Sequence, residues 1–264
     1  MGGRPIGVFD SGVGGLTVVA ALRRLLPRES ILYLGDTARL PYGTKSRATV
    51  CRYTERNLEF LLGRGVKALV VACNTASALA LADLSLPVPA WGVIEPGAEA
   101  ACRASKGRVG VIATEATIAS GAYALALSRL RPDLAVLSQA CPLLVPLVEE
   151  GWHDDPVTEE VARRYLAPLV AGGIDTLVLG CTHYPLLSGV LGRLLGPGVA
   201  LVDSAESTSA TVAAGLTAAG LARGPDGGEP EHHFCVTDAA TRFGRISHLI
   251  LGDGDPSLEL VEVV

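Results

Sequence analysis

Two stretches of this chain are built alike although they lie far apart. Leu69-Val70-Val71-Ala72 runs into Cys73-Asn74-Thr75-Ala76, and Leu177-Val178-Leu179-Gly180 runs into Cys181-Thr182-His183-Tyr184. Each opens as a short apolar run, the pattern of a strand buried on both faces. Each then ends in a thiol followed by small polar residues of the kind that cap a helix. A thiol at such a strand-to-helix turn sits near a helix N-terminus, where a thiolate is stabilised. Two such turns in two similar halves imply one site between them, with a sulfur on each side of a substrate.

The remaining chain repeats the strand, turn, helix pattern. Ile6 to Phe9, Ile31 to Leu34, Ala68 to Ala72 and Ala90 to Val93 read as strands. Leu16 to Leu26, Ser46 to Arg64 and Asn74 to Leu84 read as helices, the last ended by Pro87 and Pro89. A second series starts at Arg108. It has strands at Val109 to Ala113, Leu134 to Ser138, Thr176 to Leu179 and Val199 to Val202, and helices at Thr117 to Leu130, Leu143 to Glu150, Pro156 to Ala171 and Leu186 to Leu195. Beyond it, Ser207 to Leu221 reads as a helix and Gly224 to Pro230 as a loop. His233 to Val236 and Leu258 to Val263 read as strands that pack back on the first lobe. Such alternation predicts an α/β fold of parallel sheets covered by helices, with ligands at the C-terminal ends of the strands. Two similar lobes are expected, one from residues 1–95 with 208–264 and the other from 96–207, facing each other across a cleft.

Composition narrows the function classes. Hydrophobic residues make up 49% of the 264, enough to build cores and too many for a disordered chain. The net charge is −5 without a Lys/Arg cluster, which argues against nucleic-acid binding. No uninterrupted apolar run reaches the roughly 18 residues of a membrane span, and the chain enters a strand soon after Met1 without a signal-peptide core. A cytoplasmic enzyme is expected, with its six cysteines present as thiols. There is no C-x-x-C spacing, so no structural metal is expected. Lys45, Lys67 and Lys106 lie outside apolar, pocket-like contexts, which disfavours a Schiff-base lysine and pyridoxal phosphate.

The polar motifs fall at the predicted strand ends. Asp10-Ser11-Gly12-Val13-Gly14-Gly15 follows the first strand; its glycines permit close backbone approach to a ligand, and it lacks the G-x-G-x-x-G of a dinucleotide site. Pro41-Tyr42-Gly43 follows the second strand and is either a simple turn or one wall of the cleft. Cys51, Cys102, Cys141 and Cys235 suit the ordinary fate of buried small apolar residues. Cys73 and Cys181 suit proton transfer: paired thiols, one ionised and one protonated, can take a proton from one face of a carbon acid and return one to the other. A Cys–His nucleophile using His183, a non-catalytic binder, and a redox or metal site built on Cys73, Cys181 and His183 stand as alternatives.

Taken together, Gly7 to Leu16, Tyr33-Leu34-Gly35-Asp36, Leu40 to Gly43, Ala72 to Ala76, Cys141-Pro142-Leu143 through Glu149, and Leu179 to Pro185 resemble the glutamate racemase family, in family order over roughly four fifths of the chain. The resemblance implies two α/β lobes related by a pseudo-twofold, an activity that interconverts L- and D-glutamate without a cofactor, and a supply of D-glutamate for peptidoglycan. It implies Cys73 and Cys181 as the acid/base pair, with Asp10 assisting the first and His183 and Glu149, rather than Glu150, assisting the second. Ser11, Pro41, Tyr42, Gly43, Asn74, Thr75, Thr114, Thr117 and Thr182 would hold the amino acid. A homodimer is also implied. Related racemases acting on aspartate or hydantoins are the nearest rival.

Overall fold

The computed structural model describes residues 3–224, 228–238, 240–252 and 258–263. Along the chain, β1 (Ile6–Asp10), α1 (Leu16–Leu25), β2 (Ile31–Gly35), α2 (Arg47–Gly63), β3 (Ala68–Val71), α3 (Asn74–Leu79) and β4 (Ala90–Gly92) form the first series. Next come α4 (Ile94–Ala104), β5 (Arg108–Ala113), α5 (Glu115–Ser120), α6 (Ala122–Leu130), β6 (Ala135–Ala140), α7 (Leu144–Glu149), α8 (Pro156–Ala171), β7 (Thr176–Gly180), α9 (Ser188–Leu195) and β8 (Ala200–Asp203). The chain closes with α10 (Ser204–Ala218), β9 (His232–Val236), α11 (Ala240–Leu251) and β10 (Leu258–Leu260).

The described strands make two parallel sheets, ordered β10-β9-β2-β1-β3-β4 and β6-β5-β7-β8. The order β2-β1-β3-β4 recurs as β6-β5-β7-β8, so the second sheet repeats the first, and β9 and β10 extend the first beyond β2. This is the duplicated α/β architecture expected from the two cysteine-bearing turns.

Alternation along the strands explains the layers. Ile6 and Val8 of β1, Ile31 and Tyr33 of β2 and Val178 of β7 join one core, together with side chains of α1, α4, α6 and α10. Phe9, Leu32, Leu34 and Val71 point the other way, into a core under α2. Leu177 and Leu179 do the same beneath α8 and α9. One apolar layer is therefore shared by both lobes, and it sets their spacing beneath the strand ends.

Several boundaries differ from expectation, each for a local reason. The helix after Cys73 stops at Leu79, whose carbonyl accepts from Cys51 Sγ at 3.3 Å, and the chain tightens into a 3-10 turn at Leu81–Asp83. The helix expected over Thr117 to Leu130 is two, broken at Gly121 with φ 67°, a left-handed conformation that glycine adopts without steric cost. α4 and α11 were not anticipated. In α4, Pro96 occupies the first turn, where its missing N–H is harmless. The final strand ends at Leu260 rather than Val263. Of the loop expected over Gly224 to Pro230, residues 225–227 lie outside the described residues.

Lys67 also corrects the sequence reading. It is buried, with Nζ 2.5 Å from Glu29 Oε2 and 2.8 Å from the Leu221 carbonyl. Glu29 Oε1 accepts from the Arg223 backbone N–H at 2.8 Å. The pair lies at the N-terminal ends of the strands, opposite the thiols, and ties the segment after α10 to the first sheet. Removing one partner strands a charge in the core. Lys67→Met is expected to lower unfolding stability by about 3–5 kcal/mol, read as a reduced urea midpoint. Replacing Glu29 and Lys67 together by apolar residues is expected to cost less than Lys67→Met alone.

Candidate active site

Cys73 lies just beyond the end of β3, after Ala72, and occupies the N-cap of α3, and Cys181 directly follows β7. Both are nearly buried, and both line one cleft at the C-terminal ends of the two sheets. Ser11, Pro41, Tyr42, Gly43, Asn74, Thr75, Thr114, Thr182, His183 and Glu149 line it too. Its cavity volume is about 40 Å³, room for about three water molecules. A mostly apolar cavity of about 290 Å³ adjoins it, walled by Leu40, Pro41, Pro142, Val145 and Pro146.

On the first side, the Cys73 thiol donates to Ser11 Oγ at 3.4 Å. Burial and the neighbouring Asp10 charge push its pKa up to about 12, although the Ser11 hydroxyl and the Ala76 backbone N–H oppose this. This favours the protonated thiol. Asp10 does not line the cleft; it is fully buried behind it. Its Oδ2 accepts from the Gly12 N–H at 2.9 Å, and its Oδ1 accepts from the Thr182 hydroxyl of the other lobe at 3.4 Å. Burial raises its pKa, opposed by the charge of His183 and by the Gly12 and Gly15 amides.

On the second side, His183 stands between Cys181 and Glu149. Its Nδ1 is 3.8 Å from Cys181 Sγ and its Nε2 is 3.2 Å from Glu149 Oε1. Burial alone would lower its pKa; the contacts with Cys181 and Glu149 outweigh burial and raise it to about 10. At neutral pH the ring is an imidazolium that donates to Glu149 and faces the Cys181 sulfur. Glu149, at the end of α7, is buried, whereas the adjacent Glu150 is exposed. The geometry thus puts Glu149, and not Glu150, against His183.

Hydroxyls bridge the lobes. Thr75 Oγ1 lies 3.0 Å from Thr114 Oγ1 and 3.1 Å from Thr117 Oγ1, and Thr114 and Thr117 are 2.9 Å apart. Thr117 does not line the cleft; it stands behind the other two and reaches a ligand only through them. Two glycines let the seam close. A Cβ on Gly14 would stand 2.6 Å from His183 Nδ1 and collide with Thr182 Oγ1, and one on Gly43 would stand 2.6 Å from Thr114 Cβ.

Tyr42 lines the cleft with its ring alone. Its hydroxyl donates to the buried carboxylate of Asp36 at 2.5 Å and accepts from Asn57 Nδ2 at 3.2 Å. Its hydroxyl is thus engaged within the first lobe while the residue lines the cleft. Asp36, Asn57 and Tyr123, whose hydroxyl donates to Asn74 Oδ1 at 2.7 Å, are the polar groups around the site that sequence reasoning missed. Asp36 lies in a quoted motif and carried a signal. Asn57 and Tyr123 sit within helices and carried none.

Residues 7–212 match the Asp/Glu/Hydantoin racemase family. A glutamate racemase of Geobacter metallireducens is 53% identical over 252 residues, which cover 94% of this chain and 93% of that protein. Among solved structures, a glutamate racemase of Bacillus anthracis is similar with a TM-score of 0.94 at 43% identity, covering 98% of each chain. One of Francisella tularensis, solved in complex with D-glutamate, has a TM-score of 0.93 at 39% identity and covers 100% of this chain and 99% of its own. Fold, near full-length identity and the doubled thiol turn agree, and the chain belongs to the Asp/Glu/Hydantoin racemase family.

Proposed function

We propose that this chain is a glutamate racemase that interconverts L- and D-glutamate through Cys73 and Cys181, supplying D-glutamate for peptidoglycan. The observation that carries this is the approach of the two thiols to one cleft from two separate sheets. Support for glutamate as the substrate comes from the relatives, one of them solved with D-glutamate.

In the proposed reaction, a thiolate at Cys181 takes the α-proton from one enantiomer, and the Cys73 thiol gives its proton to the opposite face of the carbanion. The reverse reaction starts with Cys73 as thiolate and Cys181 as thiol. The His183 imidazolium places positive charge beside the Cys181 sulfur, and Glu149 holds the ring in that orientation. At Cys73 the Asp10 carboxylate favours the thiol; a substrate ammonium entering the cleft would offset that field and help the proton leave. Ser11, Asn74, Thr75, Thr114 and Thr182 offer donors to the substrate carboxylates, Pro41, Tyr42 and Gly43 form the wall beside them, and Thr117 supports the hydroxyls. The chemistry asks for no cofactor: the carbanion is stabilised by donors aimed at developing negative charge. The lobe limits belong to this proposal, 1–95 with 208–264 and 96–207, supported by the pairing of β9 with β2. So do a homodimer and a cytoplasmic location, which rest on the family resemblance; no described helix is long and apolar enough to cross a membrane.

Proton NMR in heavy water tests the function. Both glutamate enantiomers are expected to lose their α-proton signal and to yield the antipode without added cofactor; exchange of aspartate alone would move the assignment to another substrate. Cys73→Ser and Cys181→Ser are each expected to lower racemisation by at least about a hundredfold, the weight of an acid/base group. Full activity of either variant in both directions would rule out the two-thiol reaction.

The His183 charge also has a stability readout. Its folded-state pKa of about 10 lies above the ordinary 6.5, so its stabilisation is complete below about 6.5 and is lost as pH rises through about 10. The melting temperature is expected to fall across that window, and to fall less in His183→Asn. Parallel profiles for the two proteins would mean that the imidazole carries no such charge in the fold.

A further inference from the structure

The carboxamide of Asn74 is satisfied on one side only. Its Oδ1 accepts from Tyr123, whereas its Nδ2 has no partner, although the residue is only 3% exposed. A buried donor without an acceptor is costly, and this one belongs to a residue lining the cleft. An amide fits its site either way round, so its neighbours decide which end faces the cleft. Here the neighbour is a phenol with one hydrogen. That hydrogen goes to Asn74 Oδ1 at 2.7 Å.

Tyr123 reaches that position along a channel of missing side chains. A Cβ on Gly97 would stand 3.2 Å from the ring and its hydroxyl, and one on Gly180 would stand 3.1 Å from the ring's other edge. Gly180 directly precedes Cys181. The ring thus passes beneath the second thiol turn, from α6 of one lobe to α3 of the other.

We propose that Tyr123 is a positioning residue for this reaction: its hydroxyl turns the Asn74 amide so that Nδ2 faces the cleft and donates to a carboxylate oxygen of the substrate. The proposal rests on the racemase reading above.

A double-mutant cycle in the full chain tests it. Tyr123→Phe keeps the ring and removes the hydroxyl. It is expected to lower kcat/KM for glutamate about tenfold, mainly through KM, with little change in melting temperature. In an Asn74→Ala background the same substitution is expected to change kcat/KM less than about twofold, because the group it acts through is gone. Equal losses in both backgrounds would mean that the hydroxyl serves packing alone and would overturn the proposal, as would no loss in the unmodified background. A second readout needs no substrate. The side-chain NH2 signals of Asn74, identified by their loss in Asn74→Ala, are expected to shift in Tyr123→Phe. Unmoved signals would overturn the proposal. Failure of the unmodified protein to racemise glutamate would strike the function instead, with the NH2 signals still deciding the role of Tyr123.

Discussion

At the seam between the lobes, the backbone of Gly14 lies against Thr182 and His183, and that of Gly43 lies against Thr114. A side chain at either position would collide with the facing lobe and push the seam apart locally. Close approach also brings Thr182 within reach of Asp10, and Thr75 within reach of Thr114 and Thr117. These are hydroxyl contacts, each worth about 0.5–1.5 kcal/mol net and readily exchanged for water. The apolar layer beneath them, shared by α1, α4, α6 and α10, is far larger. The seam is thus weak at the cleft and strong at its base.

The cleft is symmetric in backbone and asymmetric in charge. Behind the first thiol stands a carboxylate, Asp10; behind the second stands an imidazolium, His183, itself backed by Glu149. Buried charges of alternating sign support one another across the seam, and the His183 charge opposes the burial-driven rise of the Asp10 pKa. The two thiols thus face charges of opposite sign. Negative charge beside Cys73 keeps its proton on, whereas the Cys181 sulfur faces the His183 ring at 3.8 Å.

Much of this was legible in the sequence because parallel strands buried on both faces leave short apolar runs, and because the residues after each run carry the chemistry. Cys73, Cys181, Asp10 and His183 all lie at such ends. What escaped has a common cause: the partner is distant in sequence or the residue sits mid-helix. Lys67 reads as an ordinary surface lysine until Glu29 is brought under it. Tyr123 reads as one apolar residue of α6; its hydroxyl acquires meaning only when α3 of the other lobe supplies Asn74. α4 was obscured by Pro96 and Gly97, residues that usually interrupt helices. Pro96 is tolerated in the first turn, and Gly97 leaves room for the Tyr123 ring.

The two halves differ most in the loop that follows their second strand. After β2, the chain buries Asp36 and fixes it with Tyr42, Asn57 and Thr237, so that Tyr42 presents a ring to the cleft and hides its hydroxyl. Thr237 lies just beyond β9, so the extension of the first sheet helps to anchor this wall. After β6, the equivalent connection instead delivers α7 and Glu149 to the cleft, where the carboxylate meets His183. A buried acid therefore follows the second strand in both halves, held in one by neutral donors with the Arg39 guanidinium 3.8 Å away, and in the other by an imidazolium. Only the second sends its acid toward a thiol through a titratable ring. A duplicated scaffold thus yields two thiols in like positions with unlike electrostatic surroundings.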